Sequence, residues 1–171
     1  RDYFALAPTH VRPMRWDDWA PLDLLGYQPV VDDEELPRSV LFQLKGQGSA
    51  EGPFQTIQRR RRRREAITAV VLETVHGATV GWAALQPDPF AFGDASQLDL
   101  YLHPDFAEHA GALLDGLDLP DGQRINAYSS PPDGYRAAAL TGAGFHQAAS
   151  LPDHLARDGD RVSLRLFTRG A

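Results

Sequence analysis

A single α/β domain carrying a mixed sheet is the fold class that this sequence predicts, on three observations. Short β-rich runs alternate with helical patterns in the order β-α-α-β-β-β-α-β-α-β-β. The composition, 43% hydrophobic and 23% charged, is that of an ordinary globular protein. A chain of 171 residues is long enough to bury about 70% of its unfolded surface around one core. Residues 1–171 are therefore read as one domain, with residues 1–10 as a lead-in segment.

The elements follow in order. VRPMR (Val11 to Arg15) predicts a strand, and Pro13 puts it at a sheet edge because proline cannot donate to a ladder. Asp17 reads as the N-cap of a helix whose first turn tolerates Pro21. DDEELPRSVLFQLKG predicts a second helix ending near Gly46 and Gly48. The six arginines Arg59 to Arg64 read as a solvated helix end, since on a helix they point all round the axis. The sharper reading of that run is a patch for an acidic substrate, an RNA backbone or a partner subunit.

AITAVVLETV and ATVGWAALQP predict two strands joined by a hairpin turn at His76-Gly77. In DASQLDLYLH, Leu98, Leu100 and Leu102 face one way and Asp99, Tyr101 and His103 the other. Asp105 and Glu108 have the spacing of a capping box. Phe106, Ala110, Leu113 and Leu117 then give the next helix its apolar face. RINAYSS is a strand, and PPDGYRAAALTGAGF is a helix closed by Gly142 or Gly144. HQAASL and RVSLRLF predict a final pair of strands around the turn-rich PDHLARDGD. Trp16, Trp19 and Trp82 read as core or groove-wall residues.

Totals narrow the function. A net charge of −6 disfavours nucleic acid and anionic membranes, which repel an acidic protein. No apolar run approaches the roughly 18 residues of a spanning helix. The absence of Cys excludes disulfides and thiolate chemistry, and sets a cytoplasmic address as the default expectation. The six histidines make no zinc spacing, so no metal is expected. No Gly-x-Ser-x-Gly elbow surrounds the serines of NAYSSPP, which sets a hydrolase aside.

Four segments, in this order, resemble the GNAT superfamily of acyl-CoA-dependent N-acetyltransferases: VRPMRWDDWAPL, GATVGWAAL, LYLHPDF and NAYSS…YRAAALTGAGF. The likeness runs from about Val11 to Phe167. It implies a mostly antiparallel central sheet flanked by helices, with acetyl-CoA as co-substrate where the central strand and its neighbour splay apart. Pantetheine would pair with the backbone of Leu100, Tyr101 and Leu102, and the pyrophosphate would sit at His109, Ala110, Gly111 and Ala112. Two departures stand out. Ala107 replaces the family's usual Arg, and Leu140 stands where many members carry the Tyr that protonates the departing thiolate. Tyr135 lies about 140° round the helix from Leu140, so it does not take over that position; Tyr128 is another possible donor.

Amine acetylation needs a base for the ammonium proton, and Glu73 and Asp99 are the candidates, against the plainer reading of solvent-facing strand polars. The expected function is acetyl transfer from acetyl-CoA to an amine, on a small molecule or a peptide, in a ternary complex. The alternative is a catalytically degenerate GNAT-fold module for binding or assembly. A homodimer paired through an edge strand, such as the C-terminal one, is the expected assembly option.

Overall fold

In the computed structural model the described residues are 7–18, 20–21, 53–88, 95–129, 134–157 and 160–170. They form a seven-stranded sheet in the order β1-β2-β3-β4-β5-β7-β6. The strands are β1 (Thr9–Pro13), β2 (Thr68–Thr74), β3 (Thr79–Pro87), β4 (Ser96–Leu102), β5 (Ile125–Ser129), β6 (His146–Arg157) and β7 (Asp160–Arg169). The helices are α1 (Pro53–Arg62), α2 (Ala110–Gly116) and α3 (Gly134–Gly142). All strand pairs are antiparallel except β4 with β5. The sheet is thus mixed and mostly antiparallel, as expected.

Period-two alternation divides the sheet's two faces. Leu98, Leu100 and Leu102 of β4 join Val70, Leu72, Ala83, Leu85, Ile125, Ala127 and Phe167 in the main core. Phe106, Ala110, Leu113, Leu114, Leu117 and Leu140 close that core from the helical side. Each buried leucine contributes about 1.5–3 kcal/mol of transfer free energy. The opposite face carries a smaller cluster of Met14, Ile57 of α1, Ala69, Val71, Trp82 and Ala84.

Gly77, with φ of +81°, makes the β2–β3 turn, where an L side chain would be strained. Arg59 to Arg62 form the last turn of α1, and Arg62, Arg63 and Arg64 are exposed, as a solvated helix end requires.

Several local expectations need correction. The first strand runs Thr9–Pro13, ending two residues before Arg15. A 3-10 turn, Trp16–Asp18, follows, and the capping acid is Asp18 rather than Asp17: its Oδ2 accepts the Arg15 N–H at 2.6 Å. Asp105 is not a cap either. The ring Nδ1 of His103 accepts the Asp105 N–H at 3.3 Å and opens a 3-10 segment, Pro104–His109. β6 continues through most of the stretch read as turns, with a register shift between Leu151 and Leu155 and φ of +54° at Asp153. Trp16 is 63% exposed, stacked 5.9 Å beneath the Arg62 guanidinium, whereas Trp82 is buried. The C-terminal strand β7 lies between β5 and β6, so both its edges are paired and the sheet ends at β1 and β6. The helix expected within DDEELPRSVLFQLKG, and Trp19, lie outside the described residues.

Candidate functional site

The site begins where two neighbouring strands part. β4 pairs with β5 at Ser96↔Ile125, Gln97↔Asn126 and Leu98↔Ala127, and the ladder stops there. β4 continues from Asp99 to Leu102 and β5 through Tyr128 and Ser129. A V-shaped opening results, with Asp99 the first β4 residue past its vertex. Buried backbone groups need partners, and α3 supplies them from its first turn. Arg136, only 4% exposed, donates from Nη2 to the Leu100 carbonyl and from Nη1 to the Tyr128 carbonyl at 3.3 Å. The Tyr135 hydroxyl accepts the Leu102 N–H at 3.4 Å. One guanidinium therefore ties the two strands together across the gap.

Leu140, in the same helix, has no exposed surface and belongs to the main core. Since Leu140 faces inward beneath the sheet, a side chain about 140° round the axis can reach the strand edge instead. Tyr135 does so. Its hydroxyl, not the position of Leu140, reaches the opening.

The connection from β4 to α2 has its first amides engaged. The Asp105 N–H bonds the His103 ring, the Phe106 N–H bonds the His103 carbonyl at 2.9 Å, and the Ala110 N–H bonds the Ala107 carbonyl. Ala110 is buried in the core, while Gly111 and Ala112 are exposed. His109 is half-buried, with Nδ1 3.4 Å from the Thr9 hydroxyl and Nε2 3.6 Å from Glu108.

On the α1 side of the sheet, polar side chains gather at the vertex. Asp99 accepts hydrogen bonds from Gln86 Nε2 at 2.7 Å and Gln97 Nε2 at 3.1 Å. Asp88 accepts one from Asn126 Nδ2 at 2.7 Å. All five residues are buried. Burial, and next the negative charge of Asp88, push the Tyr128 hydroxyl above the usual tyrosine range, partly offset by Arg124. Tyr101 packs beside Trp82 on the same face.

Glu73 lies elsewhere. It sits on β2, two strands from β4, and its Oε2 accepts from both Nε (2.6 Å) and Nη2 of Arg12. Arg12 also grips the buried Asp18 at 2.9 and 2.7 Å. The bond to Asp18 above all holds the Arg12 guanidinium well above its ordinary range, burial opposing and Glu73 assisting. Of the two candidate bases, Asp99 is the one that the fold brings to the opening.

No protein-family model and no curated protein matches the sequence. Solved structures do. The structure of yncA from Salmonella typhimurium with its cofactor acetyl-CoA superposes with a TM-score of 0.69 at 13% identity, over 96% of this chain and 94% of that one. A GCN5-related N-acetyltransferase from Kribbella flavida gives 0.65 at 14% identity, over 95% and 98%. The spermidine N-acetyltransferase of Vibrio cholerae, in complex with CoA and spermine, gives 0.57 at 11% identity, over 94% of each chain. The chain has the GNAT fold.

Within the GNAT fold the groups assigned from sequence fall into two sets. The Leu100 carbonyl and Leu102 N–H point into the opening, as a pantetheine edge requires, but Arg136 and Tyr135 already hold them. At the other end, Ala107 to Ala112 contain no Arg or Lys, and His109 is the one basic side chain. Two site residues carried too little signal in the sequence: Gln86 and Gln97 look like ordinary strand polars until the β3–β4 register sets them side by side. Among the described residues no three His, Cys, Asp or Glu side chains converge as a metal site, and no helix is long and apolar enough to cross a membrane.

Proposed function

We propose that this protein transfers an acetyl group from acetyl-CoA to an amine, in a ternary complex formed at the splay between β4 and β5. The observation that carries the reading is the loss of pairing after Leu98↔Ala127, which leaves the backbone of Leu100 to Leu102 facing an opening. The neighbours described with acetyl-CoA, or with CoA and spermine, support a CoA thioester as donor and an amine as acceptor. In this reading Leu100, Tyr101 and Leu102 line the pantetheine arm, and His109, Gly111 and Ala112 face the diphosphate, with Ala110 packed into the core beneath them. Acetyl-CoA supplies an activated acyl thioester.

Transfer forms an amide C–N bond and breaks the thioester C–S bond. Starting from an ammonium, two protons leave nitrogen; one ends on sulfur and one goes to solvent. Asp99 takes the first of them, directly or through a water. Tyr135, with its hydroxyl at the β4 edge, replaces the tyrosine missing at Leu140 as proton donor to sulfur.

One set of contacts favours a second reading. With Arg136 and Tyr135 seated on the groups a pantetheine needs, and Ala107 in place of an arginine, the domain would be a binding or assembly module that has lost the cofactor.

Calorimetric titration of acetyl-CoA and CoA separates the two. The informative variant is Gly111→Glu, because Gly111 is exposed with nothing within 4 Å of an added Cβ, so the new charge repels diphosphate without disturbing the core. Micromolar binding that Gly111→Glu weakens at least tenfold supports the transferase. Absence of binding at millimolar CoA excludes it and leaves the module.

A further inference from the structure

We propose that the amide–carboxylate cluster of Gln86, Gln97, Asp99, Asp88 and Asn126 is a seat for a primary ammonium group, the acceptor nitrogen before it loses its proton. The inference rests on the acetyl-transfer reading and names the part of the site that takes the second substrate.

The three amides decide it. Each uses its nitrogen to donate to a carboxylate: Gln86 and Gln97 to Asp99, Asn126 to Asp88. That fixes their orientation, since turning any amide round would set oxygen against oxygen. Their oxygens are left over. Gln86 Oε1, Gln97 Oε1 and Asn126 Oδ1 are buried and accept no hydrogen bond. The three side chains are 3%, 1% and 4% exposed, so bulk water does not serve them. Buried acceptors without donors are rare in folded proteins.

The pieces are contiguous. Gln86 faces Gln97 across β3 and β4, and Gln97 faces Asn126 across β4 and β5. Three acceptor oxygens among two carboxylates ask for a ligand that only donates and is positively charged. An ammonium, with three N–H groups and a full charge, matches on both counts. Asp99 lies at the vertex of the splay, so a nitrogen held there stands where the opening begins.

The test uses the whole chain without any CoA. Butylammonium and 1,4-diaminobutane are titrated by calorimetry into the wild type, Gln86→Met and Gln97→Met, with 1-butanol as the neutral counterpart. Methionine keeps the length of the side chain and removes the orphan oxygen. We expect both amines to bind and butanol not to, with at least a tenfold loss of affinity in each variant. Failure of both amines to bind the wild type overturns the seat. So does equal binding in the two variants, or binding of calcium or potassium chloride in place of the amines. Should one variant not fold by circular dichroism, the other variant and the amine–alcohol contrast still decide. CoA is then titrated into the same wild-type sample. Binding of CoA without amines refutes the seat and leaves acetyl transfer standing; binding of amines without CoA does the reverse.

Discussion

Arg136 donates to the carbonyl of Leu100 in a gap where β5 no longer runs beside β4, and the same guanidinium reaches the Tyr128 carbonyl on the other side. Removing it leaves strand carbonyls buried without their donors. Arg136→Met is expected to cost about 3 kcal/mol, by the penalty for buried groups that lose a charged partner. Arg136→Lys recovers only part of this, because a single ammonium does not span both strands as a planar fork does. Urea denaturation with an unchanged slope checks it; a loss below about 1 kcal/mol would mean that water satisfies the carbonyls equally well.

How far the sequence reveals this site depends on which signals are periodic. Alternation in DASQLDLYLH places Leu98, Leu100 and Leu102 in the core and Asp99 opposite, because strand period is local information. The helix face Phe106, Ala110, Leu113 and Leu117 is equally legible, although its first residue lies in a 3-10 turn. What could not be read locally is pairing. Gln86 and Gln97 meet only through the β3–β4 register, and Arg136 meets Leu100 across 36 residues of chain. Leu140 points into the core, so on the same helix it is the Tyr135 hydroxyl that reaches the strand edge, a contact that local periodicity does not announce. Capping failed at Asp105 for a local reason: the His103 ring accepts the Asp105 N–H, which a capping box assigns to the carboxylate of Glu108.

Arg12 binds two carboxylates of unequal exposure: the Asp18 side chain is 3% exposed and that of Glu73 is 20%. Asp18→Asn should therefore destabilise by about 3 kcal/mol, since it removes the buried charge that is the main partner of the half-buried guanidinium. Glu73→Gln should cost about 1 kcal/mol, nearer the value of a solvent-screened pair. A double-mutant cycle with Arg12→Met is the check, and equal costs for the two carboxylates would contradict the ranking.

Tyr128 gives a pH signature. Burial raises the pKa of its hydroxyl above the ordinary value of 10.0 in the folded chain. As pH rises past that value the unfolded chain ionises first and binds fewer protons, so the stability falls with rising pH until the folded pKa is passed. Below it both states are protonated and no dependence arises. Tyr128→Phe should flatten the alkaline limb of the stability curve while leaving it unchanged at neutral pH. A limb of the same slope in both proteins would assign the loss to other groups.

Gly81 has no room for a side chain. A Cβ built there would lie 2.9 Å from the Tyr101 carbonyl oxygen and 3.0 Å from Leu102 Cγ. The first of these neighbours is backbone and cannot swing aside, so Gly81→Ala must push β3 away from β4. A loss of about 1–3 kcal/mol follows from overpacking of this kind, together with weaker CoA binding, because Leu102 belongs to the proposed pantetheine edge. Gly111→Ala, in helix α2 with open space around it, serves as the control in thermal unfolding and should not destabilise, since alanine is the better helix former.

The last prediction separates two carboxylates that looked equivalent in the sequence. Asp99 stands at the vertex of the opening, oriented by Gln86 and Gln97, while Glu73 is bound to Arg12 two strands away. If Asp99 accepts the ammonium proton, Asp99→Asn should lower kcat by about 10²–10⁴, the usual contribution of a general base. Asparagine keeps the shape and an acceptor oxygen, so CoA binding should hold within a factor of about three, roughly 0.6 kcal/mol on the affinity scale. Glu73→Gln should leave kcat within about twofold, because a carboxylate engaged by a guanidinium has no free claim on a substrate proton. Steady-state kinetics on a propylamine or peptide acceptor would read all three. A large fall in kcat for Glu73→Gln with none for Asp99→Asn would reverse the assignment and move the acceptor to the β1–β2 side of the sheet.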